Sequence, residues 1–451
     1  MAYTSVYVIF FFVTLRLELC ANKNTNMRIK FISIQNFRAI HNFECTCDEA
    51  VNVIYGINGA GKSTIVQALK ILLSWPIRRI LNPNGNGTAL TDKDISKGAS
   101  FCSLEVTLDD LQETTWKLYR QRSTERTKAE VSNLKQLMVY ANEWVYEHSK
   151  NGAITSMPAI GIFDVNRAVI EVPQRLVRQG TMSPADAYDG KTDFKSFFHW
   201  YREREDIENE KIRELFFSHK ESNEIKLDVQ LSAVRRAIEQ VLPQYGDFHV
   251  VRNPRRFVMK KNGESFDFSN FSDGEKCYIT LVGAIARKLA MTHPDSENPL
   301  DERGIFIIDE IDLHLHPEWQ QTVVTKLRDT FKHCQFFMTT HSPIVLSGVR
   351  TYDGEQIFAV QNGNVILQTG KIFGGQVQDI LLRQFNISSL RSPEADKLLN
   401  QWREKINNGK VNDEEYKALR AKILHWINPV DSEIMQLLLE EKKMQKTNEK
   451  D

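Results

Sequence analysis

The sequence lacks the cysteine spacing, the charge excess and the long apolar runs that mark several classes of protein. Its six cysteines form no C-x-x-C pair, which argues against zinc and a disulfide framework and indicates reduced thiols in a cytoplasmic protein. Lys+Arg and Asp+Glu are equal at 58 each, so any contact with nucleic acid must be local rather than driven by net charge. Hydrophobic content of 41% is ordinary for a globular chain.

The first 26 residues contain an apolar run that is too short to cross a bilayer. The run covers residues 6–13, whereas a membrane-spanning helix needs about 20 residues. No basic segment precedes it, as one would in a secretion signal. Met27 then begins an alternating strand. We therefore expect translation to begin at Met27, residues 1–26 to be a disordered extension, and no membrane contact. A cleaved secretion signal is the alternative.

Residues 56–64 (GINGAGKST) match the phosphate-binding loop pattern G-x-x-x-x-G-K-[ST]. Val51–Tyr55 alternates like a short strand before the loop, and residues 65–73 follow it as a helix. The glycines let successive backbone N–H groups and the positive helix end face a polyphosphate. Lys62 would reach the β- and γ-phosphates, and the Ser63 hydroxyl would bind Mg²⁺. The sequence therefore predicts a nucleoside triphosphate site.

Two apolar strands that end in polar side chains predict more of this site. Gly304–Ile308 is apolar throughout, which is typical of a strand buried on both faces of a parallel sheet. At its carboxyl end, Asp309 could hold Mg²⁺ and Glu310 could polarise the attacking water. A second such strand, residues 336–340, ends at His341, which is a candidate sensor of the γ-phosphate.

Residues 271–276 (FSDGEK) open a strongly helical run over residues 277–291. Ser272 suits the N-cap position of this helix, and Gly274 permits close approach of the backbone. A serine, a glycine and a helix N-terminus together make a second surface that can bind an anion. The alternative is an ordinary capped helix.

Other segments define the organisation around these motifs. The helix after the phosphate loop is expected to end near Ser74, because Pro76 follows. Residues 101–108 and 115–120 are expected to pair as antiparallel strands. Residues of about 130–245 are expected to form a mostly helical insertion. Its best helix, from residue 193 to 217, carries a mixed-sign run at 202–206 that predicts a solvated face.

A basic segment at residues 250–261 leads into a hairpin-like turn at the dipeptide Asn262-Gly263. It could contact the phosphates of DNA or RNA, or it could be an exposed edge strand protected from aggregation by its charge. Its basic residues are Arg252, Arg255, Arg256, Lys260 and Lys261.

Taken in chain order, these motifs resemble the phosphate loop, signature motif, acidic strand and switch histidine of ABC-type ATPases, with Asp312 in the D-loop. The segments 34–38 (IQNFR) and 309–317 (DEIDLHLHP) are similar to the soluble branch that includes the RecF, SMC and overcoming-lysogenization-defect ATPases. Residues 197–209 (FFHWYREREDIEN) and the short helical tail most resemble the ATPase subunit of Septu-type anti-phage systems, some of which accompany retrons.

The resemblance implies an α/β, ABC-type P-loop ATPase domain over residues 27–365 and a helical C-terminal region over 366–451 that docks a partner. It implies a homodimer that holds ATP and Mg²⁺ between its copies. The residues that would contact ATP are Arg38, Gly56, Asn58, Gly59, Ala60, Gly61, Lys62, Ser63 and Thr64. The signature residues that would act from the second copy are Ser272, Asp273, Gly274 and Glu275. Glu310 and His341 would be catalytic, and Ser63 and Asp309 would bind the metal.

Two features depart from the family pattern or stay open. Phe271 replaces the usual leucine of the signature motif, and Asp273 replaces the usual glycine. The glutamine of the Q-loop is either Gln112 or Gln121.

The tail lacks the acidic pattern of the TOPRIM nuclease domain, so we do not expect this chain to cut DNA itself.

The function implied by the resemblance is an ATPase that senses infection and regulates an HNH endonuclease. A retron reverse transcriptase and its msDNA are further candidate partners. One alternative is a RecF-like DNA-repair ATPase that binds DNA directly. The other is an ATP-gated scaffold with little turnover.

Overall fold

The computed structural model describes residues 27–47, 50–123, 130–165, 183–188, 194–217, 227–409, 413–428 and 430–448. The extension predicted for residues 1–26 lies outside these ranges. The chain divides into two compact units, the first ending at Gly375 and the second beginning at Gln376. The predicted boundary, after residue 365, falls inside the first unit.

The first unit contains the strands and most of the longer helices. Its strands are β1 (Arg28–Phe37), β2 (Ile40–Thr46), β3 (Val51–Tyr55), β4 (Phe101–Asp109), β5 (Glu113–Gln121), β6 (Ser149–Lys150), β7 (Ala153–Ile154), β8 (Ala159–Phe163), β9 (Tyr245–Arg252), β10 (Arg255–Lys261), β11 (Glu264–Asp267), β12 (Gly304–Ile308), β13 (Cys334–Thr340), β14 (Glu355–Gln361) and β15 (Asn364–Leu367). Its helices are α1 (Lys62–Leu81), α2 (Lys135–Glu147), α3 (Phe194–Phe217), α4 (Val229–Val241), α5 (Asp273–Thr292), α6 (Pro317–Thr330) and α7 (Pro343–Ser347).

A large mixed sheet forms the centre of the first unit. In the described part of the chain it has ten strands in the order β5-β4-β1-β2-β15-β14-β3-β13-β12-β8. Strands β14, β3, β13, β12 and β8 run parallel, and β5, β4, β1 and β2 pair antiparallel. Every residue of β3, β12 and β13 is buried. The prediction that the apolar segments are strands buried on both faces is therefore confirmed, as is the pairing of β4 with β5.

Helix α1 packs into the main hydrophobic core beside the sheet. Its buried Leu69 and Leu72 join Ile32 of β1 and Leu104 of β4 in one cluster. Burying one such side chain stabilises the fold by about 1.5–3 kcal/mol. This packing fixes the helix that begins at the phosphate loop.

The expected end of α1 near Ser74 is wrong, because the helix continues through Pro76 to Leu81. A proline inside a helix has no N–H to donate to the carbonyl four residues earlier, which here belongs to Leu72. The indole Nε1 of Trp116, on β5, donates to that Leu72 oxygen at 3.3 Å. A hydrogen bond from a distant strand thus replaces the one that the proline removes.

The region of about 130–245 contributes more than helices. Strand β8 lies within it and extends the main sheet by pairing in parallel with β12. Residues Ala159–Phe163 were not predicted to be a strand because the run is short and lies between two helical patterns. The predicted helical insertion is therefore not separate from the main sheet, because the chain returns to that sheet at β8, before α3 begins.

Helix α3 packs on the small sheet β9-β10-β11 through its N-terminal half. Phe198 and Tyr201 are buried there against Phe248 and Phe257. Phe216, at the other end of the helix, is exposed.

The solvated face predicted for residues 202–206 is wrong. Glu205 is only 4% exposed. It accepts a hydrogen bond of 2.9 Å from the backbone N–H of Val250 and lies 3.4 Å from the Arg235 guanidinium. Arg204 also pairs with Asp228, and Asp206 with Arg252, each at 2.5 Å, so charges of this run bind to neighbouring elements.

The second unit has its own small core. Its helices are α8 (Val377–Arg383), α9 (Pro393–Asn407), α10 (Glu414–Trp426) and α11 (Ser432–Asn448). Trp402 and Tyr416 are buried together, and the indole Nε1 donates to the phenol oxygen at 3.0 Å. Among the described residues of both units, no helix has the length and apolar character needed to span a membrane.

The bond between Trp116 and Leu72 can be tested by a double-mutant cycle. We expect Trp116→Phe to lower the free energy of unfolding by about 1–3 kcal/mol, because the buried carbonyl loses its donor. Pro76→Ala restores an N–H that can donate to Leu72, so the same Trp116→Phe change should cost about 1 kcal/mol less in that background. Urea denaturation measures both costs. Equal costs in the two backgrounds would contradict the assignment.

Candidate functional site

The phosphate loop lies between β3 and α1 and needs glycine at three positions. Gly59 and Gly61 have φ of 78° and 113°, which disfavour any residue with a side chain. A Cβ on Gly61 would lie 2.9 Å from Ile40 Cδ1, and one on Gly56 would lie 2.7 Å from the Val360 carbonyl oxygen. The loop is therefore wedged between the β1–β2 turn and the end of β14, with its open side at Gly59, where a Cβ would meet nothing within 4 Å.

The Lys62 side chain is placed to serve this loop. It is 7% exposed, and its Nζ donates to the carbonyl oxygens of Gly56 at 2.8 Å and Ile57 at 3.1 Å. Burial lowers the pKa of the Lys62 ammonium, and the nearby carboxylates of Glu310, Asp312 and Asp309 oppose that shift. The Lys62 ammonium is therefore close enough to the carboxylates that follow β12 to be stabilised by their negative charge.

The residues that follow Lys62 leave polar groups accessible at the start of α1. Ser63 and Asn58 are exposed and Thr64 is half-buried, while the half-buried Ala60 packs against the main hydrophobic core. Backbone N–H groups, an ammonium and a hydroxyl at a helix N-terminus are the donor set that a nucleoside triphosphate with Mg²⁺ requires. The residues of this loop therefore fit both groups.

The end of β12 holds its two carboxylate residues in a constrained geometry. Thr339 of β13 donates its hydroxyl to Asp309 Oδ1 and accepts the backbone N–H of Glu310 at 2.7 Å. Glu310 has a φ of 50°, which is uncommon for a residue with a side chain and costs about 1 kcal/mol or more. The Asp309 N–H donates to the Phe163 carbonyl at 2.9 Å. A single hydroxyl thus orients both residues.

His341 follows β13 and lies next to the D-loop. Its Nδ1 is 3.2 Å from Asp312 Oδ2, and the Thr340 hydroxyl donates to the other carboxylate oxygen at 2.5 Å. An Nδ1–H bound to this carboxylate leaves Nε2 of the ring available to another group. The His341 side chain is 46% exposed.

The signature segment forms the N-terminus of α5. Ser272 is its N-cap and forms a reciprocal capping box with Glu275, so the predicted N-cap is confirmed. A Cβ on Gly274 would lie 2.3 Å from the His314 carbonyl oxygen, so glycine allows the helix to pack directly on the D-loop. Ser272 and Asp273 are exposed.

Arg38 lies in the β1–β2 turn that borders the phosphate loop. Its neighbour Ala39 would contact a Cβ on Gly61 at 3.6 Å. Arg38 has a φ of 51°, and its guanidinium pairs with Asp94 at 2.9 Å. Arg38 therefore lies beside the phosphate loop, but its guanidinium is bound to the Asp94 carboxylate.

The two candidate Q-loop glutamines lie in the antiparallel part of the sheet. Gln112 is in the β4–β5 turn, where it bonds to Glu143 at 2.8 Å, and Gln121 ends the edge strand β5. The residue that follows a parallel strand beside β12 is Asp164, after β8. Its carboxylate lies 2.6 Å from Lys70 of α1. Sequence reasoning missed it because β8 was not recognised.

Sequence reasoning also missed two threonines, Thr339 and Thr340, which bind the carboxylates of Asp309 and Asp312 respectively. Thr339 and Thr340 are both fully buried, and they immediately precede His341. Two hydroxyl residues directly after the apolar run of residues 336–338 were the available signal, since buried hydroxyls need partners.

The basic segment forms strands β9 and β10, and its charges are largely paired. The predicted turn at Asn262-Gly263 is confirmed between β10 and β11, with φ of 53° and 87°. Three of its basic residues pair with carboxylates: Arg252 with Asp206 at 2.5 Å, Lys260 with Asp247 at 2.9 Å, and Lys261 with Glu275 at 2.6 Å.

The fold and this set of motifs define a P-loop ATPase, and comparison with known proteins identifies its family. The chain belongs to the RecF/RecN/SMC N terminal domain family, whose model matches residues 28–364. Members of this family bind and hydrolyse ATP, and the chain is an ATPase of this class. The fold and family expected from the sequence are confirmed.

Individual relatives match over most of their own length. The chain is 28% identical to the Retron Ec83 probable ATPase of Escherichia coli, over 92% of this chain and 86% of the relative. It is 28% identical to the Retron Vc95 probable ATPase of Vibrio cholerae serotype O1 biovar El Tor, over 90% and 88%. It is 23% identical to the Septu protein PtuA of Bacillus thuringiensis, over 89% and 95%.

The Thr339 hydroxyl gives a test of the site geometry. We expect Thr339→Val, which keeps the shape of the side chain, to leave ATP binding within about threefold of the wild type. It should lower kcat by about tenfold or more, because Asp309 and Glu310 lose their common anchor. Steady-state hydrolysis and equilibrium ATP binding measure the two effects.

A matched control separates this effect from simple loss of stability. Thr107→Val removes a buried hydroxyl of β4 that bonds to Thr115 at 2.8 Å, away from the parallel strand ends. If Thr339→Val and Thr107→Val had the same kcat, the Thr339 hydroxyl would not have the proposed role in orienting Asp309 and Glu310.

Proposed function

We propose that this chain is the ATPase subunit of an anti-phage defence system, where it senses infection and regulates a nuclease. The observation that carries this proposal is its similarity to retron and Septu proteins over about nine-tenths of each chain. Similarity over that length is longer than the span of residues 28–364 that the family model matches, so it includes segments outside the ATPase motifs.

In this proposal, two copies of the chain clamp two ATP molecules between them. The nucleotide contacts of one copy are Arg38, Gly56, Asn58, Gly59, Ala60, Gly61, Lys62, Ser63 and Thr64. Ser63 and Asp309 would hold Mg²⁺, which would neutralise charge on the phosphates. Glu310 polarises the attacking water, and His341 senses the γ-phosphate through the ring nitrogen that Asp312 leaves available.

The second copy supplies Ser272, Asp273, Gly274 and Glu275 to the same nucleotide. Support comes from the exposure of Ser272 and Asp273 at the N-terminus of α5. A helix N-terminus with an exposed hydroxyl favours an anion that arrives from outside the chain. Glu275 is buried beneath them and acts by holding Ser272.

The proposed effector is an HNH endonuclease, with a retron reverse transcriptase and its msDNA as further partners. The helical region of residues 366–451 is the proposed docking surface. Support comes from three exposed apolar side chains on α10 and α11, namely Trp426, Met435 and Leu439. Met435 and Leu439 are four residues apart and therefore lie on one face of α11.

The alternative of direct DNA binding has less support. The basic strands β9 and β10 would have to release Asp206, Asp247 and Glu275 before their charges could reach phosphates. A scaffold with little turnover also fits less well, because the strained Glu310 backbone is the kind of feature found where chemistry needs it.

Complementation between two inactive variants tests whether the signature motif acts on the second copy's nucleotide. Lys62→Ala and Ser272→Arg should each abolish hydrolysis alone. Mixing the two chains should restore it, because each mixed dimer regains one site with an intact lysine and an intact serine. Random assortment makes half of the dimers mixed, with one of two sites intact, so up to about a quarter of wild-type activity is expected.

The control is a chain that carries both substitutions. Mixed with Ser272→Arg, it cannot regenerate an intact site and should give no activity. Absence of recovery in the first mixture, with mixed dimers present by native mass spectrometry, would contradict the proposed clamp.

Docking through the second unit can be tested with an HNH endonuclease whose gene lies beside that of the ATPase, as the proposal expects. We expect the two proteins to purify together, and Met435→Asp with Leu439→Asp to reduce the nuclease recovered by about tenfold, because a charge in an apolar contact is costly. ATP hydrolysis should be unchanged. Val139→Asp, at an exposed apolar residue of α2 outside the proposed docking region, is the matched control. Equal recovery with all variants would exclude α11 as the docking face.

A further inference from the structure

The signature serine is held by a carboxylate of its own helix. Ser272 donates both its hydroxyl and its backbone N–H to Glu275 Oε2, each at 2.7 Å. Glu275 is 8% exposed. An ionised carboxylate accepts hydrogen bonds but donates none, so the single hydroxyl proton of Ser272 points at Glu275.

The opposite oxygen of the same carboxylate is held by the small sheet. Lys261 Nζ lies 2.6 Å from Glu275 Oε1, and the Tyr245 hydroxyl donates to that oxygen at 2.5 Å. Burial raises the pKa of Glu275, but the donors Lys261, Tyr245 and Ser272 outweigh burial and bring the pKa to about 2. Glu275 is therefore ionised at neutral pH and is shared between the small sheet and the signature serine.

These contacts put Ser272 in competition between two acceptors. A γ-phosphate oxygen can receive the Ser272 proton only if Glu275 gives it up, because a hydroxyl has one proton. The ammonium of Lys261 and the phenol of Tyr245 draw charge toward Oε1 and so weaken the hold of Oε2 on Ser272. They also offset a negative charge that would otherwise repel an arriving triphosphate.

We propose that Lys261 and Tyr245 are positioning residues for the signature serine, which they make available to the γ-phosphate by holding Glu275. This rests on the proposed ATP-clamped dimer. It gives the small sheet β9-β10-β11, and α3 packed on it, a direct connection to the nucleotide site. A partner that moved this sheet would alter dimer closure without touching ATP.

The test uses the full chain carrying Glu310→Gln, which is expected to retain ATP and accumulate as the closed dimer. In that background, Lys261→Met should weaken ATP-dependent dimerisation by about tenfold or more, and Tyr245→Phe should weaken it less. Affinity of the separated chains for a fluorescent ATP analogue should stay unchanged. Sedimentation measures the first quantity and fluorescence anisotropy at low chain concentration measures the second.

Three further variants identify the cause. Lys260→Met, whose lysine pairs with Asp247 instead, should behave like the background. Lys261→Arg should restore dimerisation. Glu275→Gln should restore it in the Lys261→Met chain, because the competing charge is removed; a lysine that touched the phosphate directly would not be rescued in this way.

The outcomes separate this inference from the proposed function. Failure of the Glu310→Gln chain itself to dimerise with ATP would remove the clamp, and the inference with it. Dimerisation of that chain, together with equal effects of Lys261→Met and Lys260→Met, would overturn only the role of Lys261. Failure of Glu275→Gln to rescue would overturn the route through Glu275.

Discussion

The parallel hydrogen bonding of β3, β13 and β12 is the constraint on which the whole site depends. The pairs Thr340 with Tyr55 and Ile308 with Met338 bring the carboxyl ends of the three strands to one edge. All three strands are buried on both faces, so a change of register would move side chains between packed layers. The phosphate loop, His341 and Asp309 are therefore fixed relative to one another by backbone bonds, before any side chain of the site makes a contact.

This constraint explains why much of the molecule could be predicted from the sequence. The phosphate loop, the buried strands and the N-cap at Ser272 each depend on residues that are adjacent in the chain. An apolar run that ends in Asp309-Glu310 predicts a parallel strand and its carboxyl edge together. Where local pattern and global fold agree in this way, the sequence specifies both the element and its place in the site.

The features that the sequence did not predict depend on partners far away in the chain. Pro76 stays in helix α1 because Trp116, on strand β5, donates the hydrogen bond to Leu72 that proline cannot donate. Glu205 is buried because α4 and β9 bring Arg235 and the Val250 N–H to it. The contacts of Thr339 with Asp309 and Glu310, and that of Asp164 with Lys70, depend on which strands are neighbours. No periodicity in a single segment contains that information.

Two hydroxyl–carboxylate bonds divide the site into a fixed part and a part that can change. Thr339 is fully buried and bonds to Asp309 and Glu310 within the sheet, so breaking that arrangement would leave buried polar groups unpaired. Ser272 makes the same kind of bond to Glu275, but Ser272 is exposed, so an acceptor from outside the chain can reach its hydroxyl. The two carboxylate residues after β12 are thus held in place within each chain, whereas the serine that we propose to meet the second copy can exchange its partner. In the proposed dimer, closure, and not assembly of the carboxylates, is then the step that a regulator can control.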